Sequence, residues 1–107
     1  MDCVFCKIAE KELSSEIVYE DENILGFVNI NPEAPLDFLF IPKKHLIWEQ
    51  DFSKEDLLLL SYLLETAKLV AKEKGIFSSC KMLFNIGKTG EIPHIHLHLW
   101  GGWDSVK

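Results

Sequence analysis

Apolar and polar residues alternate with two different periods along this chain, and the changes of period divide it into short strands and one long helix. Glu16–Glu20 reads as a strand that ends at the turn-like Asp21-Glu22-Asn23, and Ile24–Ile30 reads as a second. Asn31-Pro32-Glu33-Ala34-Pro35 is a rigid turn, because its two prolines fix φ and remove donors. Asp37–Pro42 is the third strand. The helical period takes over after Ser53, which with Asp56 three residues on makes a capping-box start; residues 54–74 follow, and Gly75 stands at the expected C′ position. Lys81–Ile86 reads as a fourth strand, 87–93 as a loop, and His94–Leu99 as the fifth strand. A short helix over residues 2–10 opens the chain, with Asp2 as its N-cap and Cys3 and Cys6 on one side. Short strands, short turns and one long helix imply an α+β fold: a five-stranded, mostly antiparallel sheet with one long and one short helix, in one domain spanning 1–107.

The long helix carries more apolar surface than one sheet face needs. Leu59, Leu63, Ala67 and Val70 make one row, and Leu57, Leu60, Leu64 and Ala71 a second. Either both rows are buried within the chain, or part of the stripe packs on a second subunit.

Composition narrows the partners. At 107 residues, 48% hydrophobic and 26% charged, the chain is an ordinary globular one, without repeats or low-complexity tracts. A formal net charge of -6 and the lack of a Lys/Arg run argue against DNA or RNA as partner, since that binding rests on neutralising phosphates. A small phosphate ligand stays open. No basic segment leads into an apolar run near Met1, and no stretch reaches the roughly 18 apolar residues of a membrane span. The expected setting is therefore the reducing cytoplasm, away from membranes, where three cysteines are no disulfide framework. Cys80 is expected to be a buried small hydrophobe. The pair Cys3-x-x-Cys6 can be redox-active, metal-binding or simply two small apolar residues.

The fifth strand holds the chemistry. Alternation puts His94, His96 and His98 on one face and Ile95, Leu97 and Leu99 on the other, with the imidazoles spread over roughly 13 Å. Two chemistries use that spacing. Imidazoles on alternate positions can bind one metal ion. Alternatively, one neutral histidine attacks an electrophile while its neighbours manage the proton and the departing group, and phosphorus suits this well. Gly87-Lys88-Thr89 is no phosphate-binding loop of the Walker type, because the required upstream glycine is Met82.

The run His94-Ile95-His96-Leu97-His98-Leu99 followed by Trp100-Gly101-Gly102 resembles the signature of the histidine-triad family. The resemblance extends through Cys3-Val4-Phe5-Cys6-Lys7-Ile8, Tyr19-Glu20-Asp21-Glu22, Asn31-Pro32-Glu33-Ala34-Pro35 and Ile41-Pro42-Lys43-Lys44-His45, and is nearest to the nucleoside phosphoramidate hydrolase-like or bacterial branch. It implies a homodimer whose sheets join edge to edge, and hydrolysis or transfer at the α-phosphate of a purine nucleotide or nucleotide conjugate: nucleoside phosphoramidates, phosphosulfates or dinucleotides. By position, His96 matches the nucleophile that forms a covalent nucleotidyl-imidazole. His98 matches the third histidine, at the phosphate and leaving group, and His94 a supporting member. Asn85 matches an asparagine near the phosphate, and Phe27 and Ile30 match contacts around the base. Asn29 and Gly90 complete the implied nucleotide site.

Bacterial members that the sequence is similar to hold zinc at matching positions, which here are Cys3, Cys6, His45 and His94. Two thiolates and two imidazoles make a complete structural zinc set. His94 then belongs to the metal, leaving His96 and His98 for catalysis. The chain departs from the family at two places. Asn29 stands where an aspartate commonly holds the ribose, and Gly90-Glu91-Ile92-Pro93 is a shorter loop without the hydroxyl that touches the α-phosphate. These departures support an alternative, a nucleotide-binding member with weak or no turnover and a structural zinc. A metalloenzyme that uses all three histidines together is the third reading.

Overall fold

The computed structural model describes residues 3–86 and 93–103. A short helix, α1 (Val4–Ala9), precedes three strands: β1 (Ile17–Glu20), β2 (Ile24–Val28) and β3 (Leu36–Pro42). The long helix α2 (Lys54–Glu73) follows, then β4 (Cys80–Phe84) and β5 (Leu97–Gly101). The sheet runs β1-β2-β3-β5-β4 with every neighbouring pair antiparallel. The α+β reading of the sequence holds.

The helix ends follow their chemistry. Ser53 caps α2 by accepting the Asp56 N–H at 3.1 Å, and Gly75 takes φ +76° just beyond the last turn. At α1 the cap is Cys3, whose sulfur accepts the Cys6 N–H at 3.3 Å. The expected N-cap, Asp2, lies outside the described residues. Strands β2 and β4 end two residues before the expected Ile30 and Ile86.

The fifth strand is shorter than expected. Regular pairing starts at Leu97, opposite Phe40 on one side and Phe84 on the other. His94 and His96 precede it, because the Ile95 N–H turns to the Leu46 carbonyl at 2.7 Å instead of a strand partner. Only His98 of the three lies in a paired strand.

Alternation divides the core in two. One sheet face, with Ile24, Phe38, Phe40, Leu97 and Leu99, packs under α2 through Leu63, Ala67, Val70 and Ala71. Gly26 is required there, since a Cβ would meet the Phe40 ring at 2.6 Å. The other face, with Leu25, Phe27, Leu39 and Ile41, is covered by Cys3 and Phe5 from α1 and its cap. Leu57 and Leu64 remain 53% and 55% exposed, so the second apolar row of α2 is only partly buried within the chain: Ala71 reaches the core and Leu60 packs at its edge. Cys80, expected to be buried, is half-buried and packs against the edge of the core. Among the described residues no helix is long and apolar enough to cross a membrane.

Candidate functional site

Four donor atoms converge where α1 meets the end of β3 and the segment leading into β5. Cys3 Sγ lies 3.4 Å and Cys6 Sγ 3.5 Å from His94 Nδ1, and Cys6 Sγ lies 3.1 Å from His45 Nδ1. The four ligating atoms all fall within 4.8 Å of one another. A sulfur and a nitrogen bound to the same tetrahedral zinc stand about 3.6 Å apart, given bonds near 2.3 and 2.0–2.1 Å, so these three sulfur–nitrogen separations are within about 0.5 Å of what the ion needs.

The ring orientations fit as well. His94 Nε2 lies 2.7 Å from the Pro42 carbonyl, which only accepts, so Nε2 carries the proton and Nδ1 presents its lone pair to the sulfurs. Burial holds the His94 pKa below the ordinary histidine value, against the Pro42 hydrogen bond, which favours a neutral ligand. Burial, with the adjacent Cys3 thiol, pushes the Cys6 thiol up to about 11. Two thiols packed this closely gain stability as a pair from a cation between them.

His96 and His98 lie outside that cluster. Their ring centres are 5.2 Å apart, and Phe5 packs edge-on against His96 at 5.0 Å. His96 Nδ1 lies 2.9 Å from the His94 carbonyl, so it donates there and leaves the Nε2 lone pair free. Burial lowers the His96 pKa, opposed by that hydrogen bond and aided by His98. The residue whose ring joins the donor cluster therefore also orients the next histidine through its backbone.

His98 sits between two polar side chains. Its Nε2 is 3.3 Å from Asn85 Nδ2, and its Nδ1 is 3.7 Å from Asp37 Oδ1, ion-pair distance but longer than a hydrogen bond. Asp37 is 2% exposed. Its other oxygen accepts the Glu33 N–H at 2.9 Å and the Asn29 amide at 3.0 Å. Sequence reasoning missed Asp37. The signal was available: alternation puts it on the same face as Leu39 and Ile41, and a carboxylate on the buried face of an apolar strand needs a partner.

The remaining expected residues are brought together unevenly. Phe27 is buried under Phe5, ring centres 5.8 Å apart, beside the histidines. Asn29 spends its amide on Asp37 and its oxygen on the Asn31 N–H at 3.0 Å. Ile30 is 87% exposed at the rim. Gly90 and the rest of 87–92 lie outside the described residues. An apolar cavity of about 240 Å³, lined by Trp48, Leu60, Leu64 and Phe84 among others, opens on the α2 face and contains none of the histidines.

A family model described as scavenger mRNA decapping enzyme C-term binding matches residues 2–104. The chain is similar to a 14 kDa zinc-binding protein of Zea mays, 42% identical over 103 residues, which cover 92% of this chain and 80% of that protein. It is similar in structure to a HIT family hydrolase of Legionella pneumophila Philadelphia 1, with a TM-score of 0.89 at 42% identity over 94% of this chain and 93% of the other. A zinc-bound histidine triad family protein of Mycobacterium smegmatis matches with a TM-score of 0.82 at 30% identity, over 100% of this chain and 79% of that one.

Proposed function

This chain belongs to the histidine-triad family, and from that premise we propose that it hydrolyses or transfers nucleotides at the α-phosphate, with His96 as nucleophile and a structural zinc at Cys3, Cys6, His45 and His94. The observation that carries the reading is the 2.9 Å contact from His96 Nδ1 to the His94 carbonyl. It fixes the tautomer, so Nε2 offers an unprotonated lone pair without help from another base.

The steps follow from the groups present. Nε2 of His96 forms a bond to phosphorus as the bond from phosphorus to the leaving nitrogen or oxygen breaks. The leaving group departs with that electron pair and takes the Nε2 proton of His98, which enters the step as the imidazolium and leaves it neutral with the Nδ1 proton in place. Water then attacks phosphorus, the bond to His96 breaks and returns its pair to Nε2, and the water proton restores His98. Phosphoramidates, phosphosulfates and dinucleotides all present a phosphorus with such a leaving group. Ile30 supplies an exposed apolar contact for the purine beside Phe27. Asn29 and Asn85 stand on the sugar and phosphate side, and Gly90, outside the described residues, is assigned to that side by the family resemblance alone.

Zinc in a closed set of two thiolates and two imidazoles has no open position, so it serves as a structural tie. His94 donates its ring to that tie and its carbonyl to His96, which separates the metal from the chemistry and disfavours a three-histidine metalloenzyme. Thiolate ligands suit a reducing cytoplasm. A homodimer accounts for the exposed Leu57 and Leu64 of α2: Leu64 and Trp48 line one apolar cavity with Phe84 of β4, an edge strand with free backbone groups.

Turnover of a panel of adenosine and guanosine phosphoramidates, phosphosulfates and dinucleotides tests the reading. The wild type is expected to cleave at least one class and His96→Ala none. A wild type that cleaves none, yet is thermally stabilised by AMP or GMP, is a nucleotide-binding member without the reaction and overturns the proposal.

A further inference from the structure

We infer that Asp37 is a positioning residue for His98, holding the imidazole proton on Nδ1 so that Nε2 is the nitrogen presented to Asn85 and the substrate side. The inference rests on the functional reading above for its catalytic consequence, and on geometry alone for the proton.

Two buried polar atoms face each other here. Asp37 Oδ1 and His98 Nδ1 both lack a hydrogen-bond partner among the described residues, and they stand 3.7 Å apart. A buried carboxylate oxygen opposite a bare ring nitrogen would set two lone pairs against each other in a site closed to water, at high cost. A proton on Nδ1 turns the same contact into an attraction. The carboxylate is not free to turn away. The Glu33 N–H at 2.9 Å and the Asn29 amide at 3.0 Å both grip Oδ2, and β3 pairs with β5 at Leu39↔His98, one step along the same face.

The same grip makes the test sharp. In Asp37→Asn the two donors on Oδ2 must still meet an oxygen, so the new amide nitrogen takes the place of Oδ1. It then donates to His98 Nδ1 and drives the ring proton to Nε2. The shape is nearly unchanged and the tautomer is inverted. The effect matches what the handed-over proton does in a serine protease when the triad aspartate becomes asparagine.

Asn29 gains a role from this. It stands where the family commonly has an aspartate, and its amide spends one hydrogen on Asp37. The pair places a single carboxylate one strand closer to the histidines.

Long-range proton–nitrogen correlation of uniformly labelled, zinc-loaded protein at about pH 8, above the ordinary histidine range, reads the ring directly. The His98 signals are assigned by their loss in His98→Gln. The wild type is expected to show a protonated Nδ1, and Asp37→Asn a bare Nδ1 with the proton on Nε2. In the panel assay Asp37→Asn is expected to lower kcat by about 10²–10⁴-fold while KM moves less than about threefold. A bare Nδ1 in the wild type, an unchanged tautomer in Asp37→Asn, or a loss confined to KM overturns the inference. The wild-type spectrum decides by itself if the variant does not fold. A protonated Nδ1 in a protein without turnover keeps this inference and overturns the functional reading, whereas a bare Nδ1 in an active protein does the reverse.

Discussion

Removing zinc should release α1 from the sheet and leave the rest folded. The helix has 6 residues, far below the roughly 12–15 at which an isolated helix holds in water, so tertiary anchors keep it wound. Its single fully buried side chain is Phe5, worth about 1.5–3 kcal/mol against exposure. Ordering backbone costs about 1–2 kcal/mol for each residue, so over this helix the cost exceeds what Phe5 returns. Ile8 and Ala9 add partly buried contacts, and the strongest remaining anchors are Cys3 and Cys6, tied through the metal to His45 and His94. The core under α2 contains none of these four residues and stays packed without them. Chelation under reducing conditions, followed by hydrogen exchange, measures the outcome. Protection of the Lys7, Glu10 and Glu12 amides, which bond within or just beyond α1, is expected to fall at least about 100-fold, equivalent to about 3 kcal/mol. Amides of β3 and β5 should keep their protection. Unchanged protection in α1 after the metal is removed would refute the reasoning, and so would loss of the whole sheet in one step.

Two further predictions reach other parts of the account. Leu64→Glu, on the exposed row of α2, should convert a dimer to a monomer by sedimentation while leaving the far-ultraviolet circular dichroism unchanged; a wild type that is monomeric at high micromolar concentration contradicts the interface. The Asp21 carboxyl closes the β1–β2 turn. Burial favours its neutral form, but hydrogen bonds from the Tyr19 hydroxyl and the Asn23 and Ile24 N–H groups outweigh burial and hold its pKa below the ordinary 3.8. A lowered folded-state pKa gives stability that is complete above the unfolded value and is lost as pH falls through the folded one. The gap in melting temperature between wild type and Asp21→Ala should therefore stay level above roughly pH 5 and close in more acid solution; a gap that widens on acidification is the wrong sign.

Much of this architecture was legible in the residues because each level of signal agreed with the next. Ser53, Asp56 and Gly75 mark the ends of α2 by local chemistry alone, and alternation along Asp37–Pro42 marks a strand whatever it packs on. The four metal-site residues were legible as types and as a resemblance, and the structure brings them together. What escaped depends on contacts far apart in sequence. The fifth strand starts at Leu97 because Ile95 bonds to Leu46, 49 positions away, which no local period encodes. Asp37 was read only as the first residue of a strand. Its significance appears when β5 brings His98 beside it, although the carboxylate on a buried face was a warning in the sequence itself.

The division of the triad, with His94 on the metal and His96 on the phosphorus, is the central claim. It is tested most directly by mixing the zinc-loaded protein with a cleavable nucleoside phosphoramidate, quenching in alkali and mapping the modified peptide by mass spectrometry. One nucleoside monophosphate per chain is expected on His96 of the wild type, and none on His96→Ala. An adduct on His94 or His98, or turnover without any adduct, would contradict it.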